Sequence, residues 1–348
     1  MLRYLKFVLN LVFAKIKSKK VPLIVILCVT NKCNLKCWYC YGQHDQRNNW
    51  KDFSTEEILP MIKTLRKMGT KILQLQGGEP LLRDDLRTII EEARKCGMIC
   101  DLVTNGILIN QNFETIKLLD KICISLDGPK EAHERNCGEG TFDKVVEGIK
   151  MARSLGLAVR LSSVLTQETT VNDIEWLSNF AMDNKLSVNF SPSFEFISSV
   201  KSIDAKPHEI SNDHMRALFQ HILICKKRGY PIQFTEKSYE IAASWPFSYK
   251  KRMAYTDDNS QVLKKTKCIH GDFVVFIDSD GSVYPCCNFW GRPELNVHKD
   301  GLRNSILKLK RNGCLGCYIP AYIDRNLFFN LDPEVWLNYI KKAIKGDV

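Results

Sequence analysis

Val21-Pro22-Leu23-Ile24-Val25-Ile26-Leu27-Cys28-Val29, followed at once by Thr30-Asn31-Lys32-Cys33-Asn34-Leu35-Lys36-Cys37-Trp38-Tyr39-Cys40-Tyr41, decides how this chain reads. The first run is apolar throughout and rich in β-branched residues, so it reads as a buried strand. The second sets three cysteines, spaced CxxxCxxC, in one compact loop directly behind that strand. Three such thiols can take three corners of a [4Fe–4S] cluster and leave the fourth iron without a protein ligand. Clusters that only carry electrons are closed by four cysteinates, whereas an open metal position invites a cofactor or substrate to coordinate. Zinc-binding runs usually set one close cysteine pair against a second pair further along, and this loop has a different form.

Working outward, short apolar β-rich runs recur at Leu23–Val29, Ile72–Gln76, Ile99–Thr104, Lys121–Leu126, Ala158–Leu165 and Ser187–Phe190. Helical patterns lie between and after them at Thr55–Met68, Asp84–Cys96, Phe113–Leu118, Phe142–Leu155, Val171–Asn184 and Ser211–Arg228. Gly69, Gly97, Gly156 and Gly229 stand where helix C-caps belong. Strands alternating with helices demand parallel pairing with helical crossovers. The economical arrangement is an α/β fold, a curved partial (β/α)6 barrel of TIM-like type, with chemistry at the C-terminal ends of its strands. The three-cysteine loop sits at the first of those ends.

Composition supports a globular protein: 348 residues, 45% hydrophobic and 26% charged. Fourteen cysteines are many, but disulfide frameworks belong to short secreted chains. Cys28, Cys96, Cys100, Cys123 and Cys225 fall in apolar or helical stretches and read as reduced core thiols, which favours a cytoplasmic location. The net charge is +11, and six of those charges lie within the first twenty residues: Arg3, Lys6, Lys15, Lys17, Lys19 and Lys20. The remaining five are spread over the body, so nucleic-acid binding is not indicated. Residues 1–20 interleave their charges with Leu2, Leu5, Leu9, Val12, Phe13 and Ile16 at near-helical spacing. Lys6 and Asn10 interrupt any membrane span. The segment reads as a basic amphipathic helix lying on the inner face of a membrane, or else packed across the bottom of the main domain.

Further motifs follow the later strands: Gly77-Gly78-Glu79-Pro80 after the second, Thr104-Asn105-Gly106 after the third, and Ile124-Ser125-Leu126-Asp127-Gly128 at the fourth. Together with CxxxCxxC they resemble the radical S-adenosylmethionine (SAM) superfamily over residues 21–235. His133-Glu134-Arg135 and Gly140-Thr141-Phe142 resemble members that carry extra C-terminal clusters. The resemblance implies that Cys33, Cys37 and Cys40 hold a [4Fe–4S] cluster whose open iron is chelated by the amino and carboxylate groups of SAM. Gly77, Gly78 and Pro80 then form a turn whose backbone approaches the methionine end closely. Either Glu79 or the turn's carbonyls would accept from the ammonium. The resemblance further places Asn105, Ser125 and Asp127 in the SAM site, with Ser125 on the ribose or carboxylate side and Tyr39 by the adenine. Ser125 and Asp127 also read as plain strand-end turn residues.

Past residue 235 the rhythm changes. Ser244–Lys267 is irregular and polar, reading as a linker or a loop facing substrate. Phe273–Asp278 and Ser282–Pro285 flank Asp280-Gly281 as a hairpin. A last helix starts after Asp332-Pro333-Glu334. Cys268, Cys286, Cys314 and Cys317 resemble the auxiliary-cluster domain called twitch, a shortened SPASM domain, which implies residues 236–348 as a second domain with one auxiliary [4Fe–4S] cluster. Cys287 is an alternative to Cys286, and a structural zinc is the alternative to the cluster. Cys137 reads as a loop thiol near the barrel mouth. His44, His133 and His270 read as surface or packing residues.

The expected activity is reductive cleavage of SAM to a 5′-deoxyadenosyl radical that abstracts hydrogen from an unactivated C–H bond. A flavodoxin or ferredoxin would supply the electron. The basic N-terminal segment favours a membrane-associated lipid or small molecule as substrate, whereas the C-terminal cysteines favour a peptide. An iron–sulfur protein that only transfers electrons is the non-catalytic alternative.

Overall fold

The computed structural model describes residues 20–40, 42, 51–193, 210–250, 253–255, 261–291 and 293–345. The basic amphipathic segment of residues 1–19 and His44 lie outside them. Among the described residues no helix is long and apolar enough to cross a membrane.

Eleven strands are described: β1 Ile24–Thr30, β2 Ile72–Gly77, β3 Ile99–Thr104, β4 Lys121–Ser125, β5 Ala158–Leu165, β6 Ser187–Pro192, β7 Met253–Ala254, β8 Val274–Ile277, β9 Ser282–Tyr284, β10 Leu295–Asn296 and β11 Gly316–Cys317. Nine of them form one sheet in the order β10-β9-β8-β1-β2-β3-β4-β5-β6. The six strands anticipated from sequence pair in parallel, each with its successor. The C-terminal region adds β8 in parallel to β1 (Ile24 opposite Val274), and β9 and β10 follow antiparallel. This part of the chain therefore extends the main sheet at the β1 edge.

The helices are α1 Thr55–Met68, α2 Leu86–Lys95, α3 Phe113–Ile116, α4 Lys130–Cys137, α5 Phe142–Ser154, α6 Val171–Asp183, α7 Asn212–Lys227, α8 Glu236–Ala243, α9 Gln261–Lys265, α10 Val297–Asp300, α11 Leu302–Leu307, α12 Pro320–Phe329 and α13 Pro333–Lys345. Local chemistry explains the boundaries. Ser54 and Glu57 close a capping box at the start of α1, and Gly69 ends it at φ 110°. Thr170 and Asp173 close the same kind of box at the start of α6.

One expectation is corrected here: Cys137 is not in a loop but is the last residue of α4. Pro129 precedes a run of adequate helix formers, Lys130 to Arg135, and Gly138 stops it at φ 111°. The motif reading of this stretch hid its helical propensity. The helix expected over Phe113–Leu118 is also shorter, a single α-turn after a 3₁₀ turn at Asn110–Asn112.

β1 is buried at all seven positions because it serves two cores. Val25, Leu27 and Val29 pack into the large cluster with α1, α2 and the other parallel strands. Ile24, Ile26 and Cys28 point the other way, into a second cluster with Phe273, Phe276, Tyr284, Tyr322 and Phe329. The period-two alternation of a strand produces this division. Each buried aliphatic side chain contributes about 1.5–3 kcal/mol relative to exposure. The strand that carries the cysteine loop is thus among the most firmly held in the molecule.

Candidate metal centre

Beyond Thr30 the chain turns over the C-terminal edge of the parallel strands as the cysteine loop. The Asp52 carboxylate fixes the loop's entry by accepting from Thr30 Oγ1 (2.6 Å), Asn31 N (2.8 Å) and Asn31 Nδ2 (2.9 Å). Arg83 braces the strand end by donating from Nη1 to the carbonyls of Val29 (2.6 Å) and Phe53 (2.8 Å). Its Nε and Nη2 clamp Asp85 at 2.7 and 2.6 Å. That guanidinium holds the Asp85 carboxyl below its usual range.

The Gly77-Gly78-Glu79-Pro80 turn follows β2 and packs against the same loop. A Cβ on Gly77 would lie 2.3 Å from the Thr30 carbonyl oxygen, and one on Gly78 would lie 2.1 Å from that of Lys32. Glycine is required because two backbones touch here. Gly78 N donates to Thr30 O and Glu79 N to Lys32 O, both at 2.8 Å. The Glu79 side chain turns inward and is fully buried. It accepts from Thr104 Oγ1 (2.7 Å), Asn105 N (2.8 Å) and Leu81 N (3.0 Å). Burial still outweighs these donors and pushes its carboxyl up to about 7. The protein's own donors reach both oxygens, so Glu79 ties the turn to β3 from the inside. Pro80 opens a short 3₁₀ helix, Pro80–Leu82, directly behind the turn.

The ends of β3 and β4 complete the rim. Asn105 Nδ2 donates to Asn34 Oδ1 in the cysteine loop (2.8 Å). Ser125, the half-buried last residue of β4, lies in register with Ser162 of β5. Asp127 is buried and accepts from Tyr39 OH (2.7 Å), Val164 N (3.0 Å) and Asn136 Nδ2 (3.2 Å). It joins the cysteine loop, β5 and α4. His133 is also buried; its Nδ1 accepts from Asp127 N (3.4 Å), and its Nε2 has no partner among the described groups. Desolvation lowers the His133 pKa and keeps the ring neutral.

Cys33, Cys37 and Cys40 are half-buried in this setting. The Cys40 amide donates to Cys37 O (3.0 Å), and the Leu35 amide to Cys33 Sγ (3.5 Å). The C-terminus of α4 grips the loop: Trp38 Nε1 donates to Asn136 Oδ1 (2.8 Å) and Trp38 N to Asn136 O (3.3 Å). Cys137 Sγ lies 3.0 Å from Cys37 Sγ and 3.6 Å from Tyr39 OH. Burial pushes the Cys33 thiol up to about 12, and the adjacent Cys137, followed by burial, pushes Cys37 up. Such thiols give up their protons when a cation takes the proton's place. Three sulfurs on one braced loop therefore suit a cluster bound at three corners.

The sequence reading found the cysteines and the turn but missed Trp38, Asp52, Arg83, Thr104 and Asn136. These residues brace the loop or its neighbouring turn through long-range bonds that leave no spacing pattern. The doublet Arg83-x-Asp85 after the turn was the one local hint.

A second thiol group lies elsewhere. Cys286, Cys314 and Cys317 are buried in the smaller core, and Cys268 and Cys287 are half-buried beside them. Burial raises the pKa of Cys268, Cys286 and Cys317, and that of Cys314 to about 12; the other thiols of the group add to the shift for Cys286, Cys314 and Cys317. Cys287 Sγ lies 2.6 Å from Tyr322 OH, and His270 stacks on Tyr322 with ring centroids 4.1 Å apart. Four or five thiols converging in an apolar pocket suit a closed cluster. The β8–β9 register, with Phe276 opposite Tyr284, sets Cys286 level with Val274 and hence with Ile24. Cys33 lies beyond the other end of β1. At ~3.3 Å per residue β1 itself spans about 20 Å, and the two groups lie toward its opposite ends. Asn31 Nδ2 donates to Ser279 Oγ in the β8–β9 turn and links the hairpin to the cysteine loop. All fourteen cysteines are free of disulfides.

Comparison with known proteins agrees with this geometry. Residues 27–181 match the Radical SAM superfamily. A probable GTP 3′,8-cyclase of Methanocaldococcus jannaschii is 36% identical over 160 residues, 44% of this chain and 53% of the relative. The Fe-coproporphyrin III synthase of Methanosarcina barkeri is 32% identical over 174 residues, 49% of this chain and 43% of that protein. The chain thus spans about half the length of the curated relatives it matches. Among solved structures, Streptococcus suis SuiB bound to S-adenosylmethionine superposes with a TM-score of 0.65 at 18% identity, covering 86% of this chain and 69% of SuiB. Native anSMEcpe with bound AdoMet superposes with a TM-score of 0.60 at 20% identity, covering 83% of this chain and 81% of that one. These likenesses are of fold.

Proposed function

We propose, for a chain whose residues 27–181 are a radical SAM domain, that it cleaves SAM reductively and directs the product at a C–H bond of its substrate. The observation that carries this reading is one braced loop presenting Cys33, Cys37 and Cys40 against the glycine turn and the ends of β3 and β4. When bound, a [4Fe–4S] cluster with SAM supplies one electron to cleave SAM to methionine and a 5′-deoxyadenosyl radical, which abstracts hydrogen. A flavodoxin or ferredoxin is the class of donor that fits.

The chain's own residues bind, orient and exclude water. Asp52, Arg83 and Trp38 fix the loop that carries the three sulfurs. The carbonyls of Gly77 and Gly78 are offered to the ammonium of SAM, and Asn105 and Ser125 flank the path toward the ribose. Tyr39 is held by Asp127 and places the loop's backbone for the adenine. The C-terminal thiols, Cys268, Cys314 and Cys317 with Cys286 or Cys287, are proposed to hold the auxiliary [4Fe–4S] cluster. Residues 21–235 and 236–348 are proposed as core and auxiliary regions joined through β1 and β8. The test is formation of 5′-deoxyadenosine by reduced protein and its loss in Cys37→Ala. Cleavage persisting in that variant would overturn the reading.

Two substrate classes follow from different parts of the chain. A peptide is supported by the C-terminal thiol group and by a fold shared with SuiB, one of whose structures holds its precursor peptide SuiA. A membrane-associated lipid or small molecule is supported by the basic pattern of residues 1–20. Vesicle flotation of the full chain against one lacking residues 1–20 separates them, and equal behaviour removes the membrane version.

A further inference from the structure

The cysteine loop has a fourth thiol against it that the proposed SAM chemistry does not use. Cys137 is the last residue of α4, and the bonds from Trp38 to Asn136 hold it at the loop. Its Sγ lies 3.0 Å from Cys37 Sγ, closer than its 3.6 Å to Tyr39 OH or its 3.8 Å to Asp127 Oδ2. Only 5% of Cys137 is exposed, so water does not compete for the contact.

We propose that, in the cluster-loaded protein, the Cys137 thiol donates a hydrogen bond to the Cys37 sulfur and raises the potential at which the SAM-binding cluster accepts its electron. The inference rests on the radical SAM reading above. Once Cys37 ligates iron it has no proton and can only accept, so the hydrogen between the two sulfurs is the one on Cys137. Hydrogen bonds to cluster sulfurs favour the reduced state, because the positive end of the donor's dipole faces the added negative charge. The setting makes such a donor consequential, since the Asp127 carboxylate lies directly behind Cys137 and adds negative charge to a buried site. Tyr39 OH, Asn136 Nδ2 and Val164 N occupy that carboxylate. Cys37 Sγ donates to Cys137 Sγ, which in turn donates over a longer 3.8 Å to Asp127 Oδ2; with Cys37 deprotonated as a ligand, the Cys137 hydrogen turns to Cys37 Sγ, the nearer acceptor. Cys137 acts through the ligand Cys37 and is a positioning residue rather than a catalytic one.

The test compares wild type, Cys137→Ala and Cys137→Ser as anaerobically reconstituted full-length protein, by redox titration followed with electron paramagnetic resonance. We expect equal iron and sulfide in all three, a midpoint shifted to more negative potential in Cys137→Ala, and an intermediate midpoint in Cys137→Ser, whose shorter hydroxyl still donates. The Ser variant also controls for packing lost on truncation. An unchanged midpoint in Cys137→Ala would overturn the inference. Loss of iron from the SAM-binding cluster in both variants would overturn it too, by making Cys137 a ligand. Failure of the wild-type signal to respond to SAM would instead count against the radical SAM reading itself, so the two failures are distinguishable.

Discussion

Gly78 shows how a residue-scale constraint is set by backbone rather than by ligand. Its missing Cβ is what lets Lys32 O approach, and an added methyl group would stand 2.1 Å from that oxygen. Gly78→Ala is expected to displace the cysteine loop and to lower both the iron retained at Cys33, Cys37 and Cys40 and the binding of SAM, measured by iron analysis and calorimetry. Glu79 makes the complementary point. Replacing it by Ala strands the donors of Thr104, Asn105 and Leu81 in a buried setting. At ~1–3 kcal/mol per unsatisfied group, Glu79→Ala should lose several kcal/mol in denaturant unfolding of the apo-protein. The motif makes both residues visible in the sequence, while their physical duties lie in long-range contacts that no local pattern encodes. The glycines serve the loop first, and the glutamate faces inward.

At the scale of elements, the six parallel strands and most of the helices were readable because apolar periodicity and glycine caps are local signals. α1 agrees to the residue, Thr55–Met68, since a capping box and a left-handed Gly69 mark both of its ends. α4 was unreadable as a helix because its sequence also resembled a motif. β8 was foreseen as half of a hairpin, but its parallel seat beside β1 is a long-range pairing that no local pattern encodes. Two tests belong here. The Arg83–Asp85 clamp braces the exit of β1, and its sign with pH is fixed: the Asp85 pKa is lowered on folding, so its stabilisation is present above the unfolded carboxyl range and disappears as pH falls through the folded value. Asp85→Asn should therefore cost about 1–3 kcal/mol near neutral pH and almost nothing near pH ~2, read by denaturant unfolding at the two pH values. In the β8–β9 turn, Gly281 has φ 86°, and a Cβ there would lie 2.6 Å from the His298 ring. Gly281→Ala should loosen the hairpin that carries Cys286 and reduce iron bound by the C-terminal thiols while sparing the SAM-binding cluster.

In the whole molecule one thiol group lies in the loop beyond the C-terminal end of β1, and the other gathers in the smaller core beside β8 and β9, with Cys317 on β11 of a separate two-stranded sheet. The sequence showed both sets of cysteines, yet their separation follows from the β1–β8 and β8–β9 registers and was not legible beforehand. Two [4Fe–4S] clusters predict about eight irons per chain. Replacing Cys314 and Cys317 together by Ala should leave about four, still responsive to SAM. On the proposed function, the loop of Cys33, Cys37 and Cys40 holds an open cluster that binds and cleaves SAM. The most direct measurement is electron paramagnetic resonance of the reduced, reconstituted protein with and without SAM, read alongside 5′-deoxyadenosine formation in wild type and Cys37→Ala. We expect a SAM-dependent change in the wild-type spectrum and 5′-deoxyadenosine from wild type alone. A spectrum indifferent to SAM, or SAM cleavage persisting in Cys37→Ala, would contradict it.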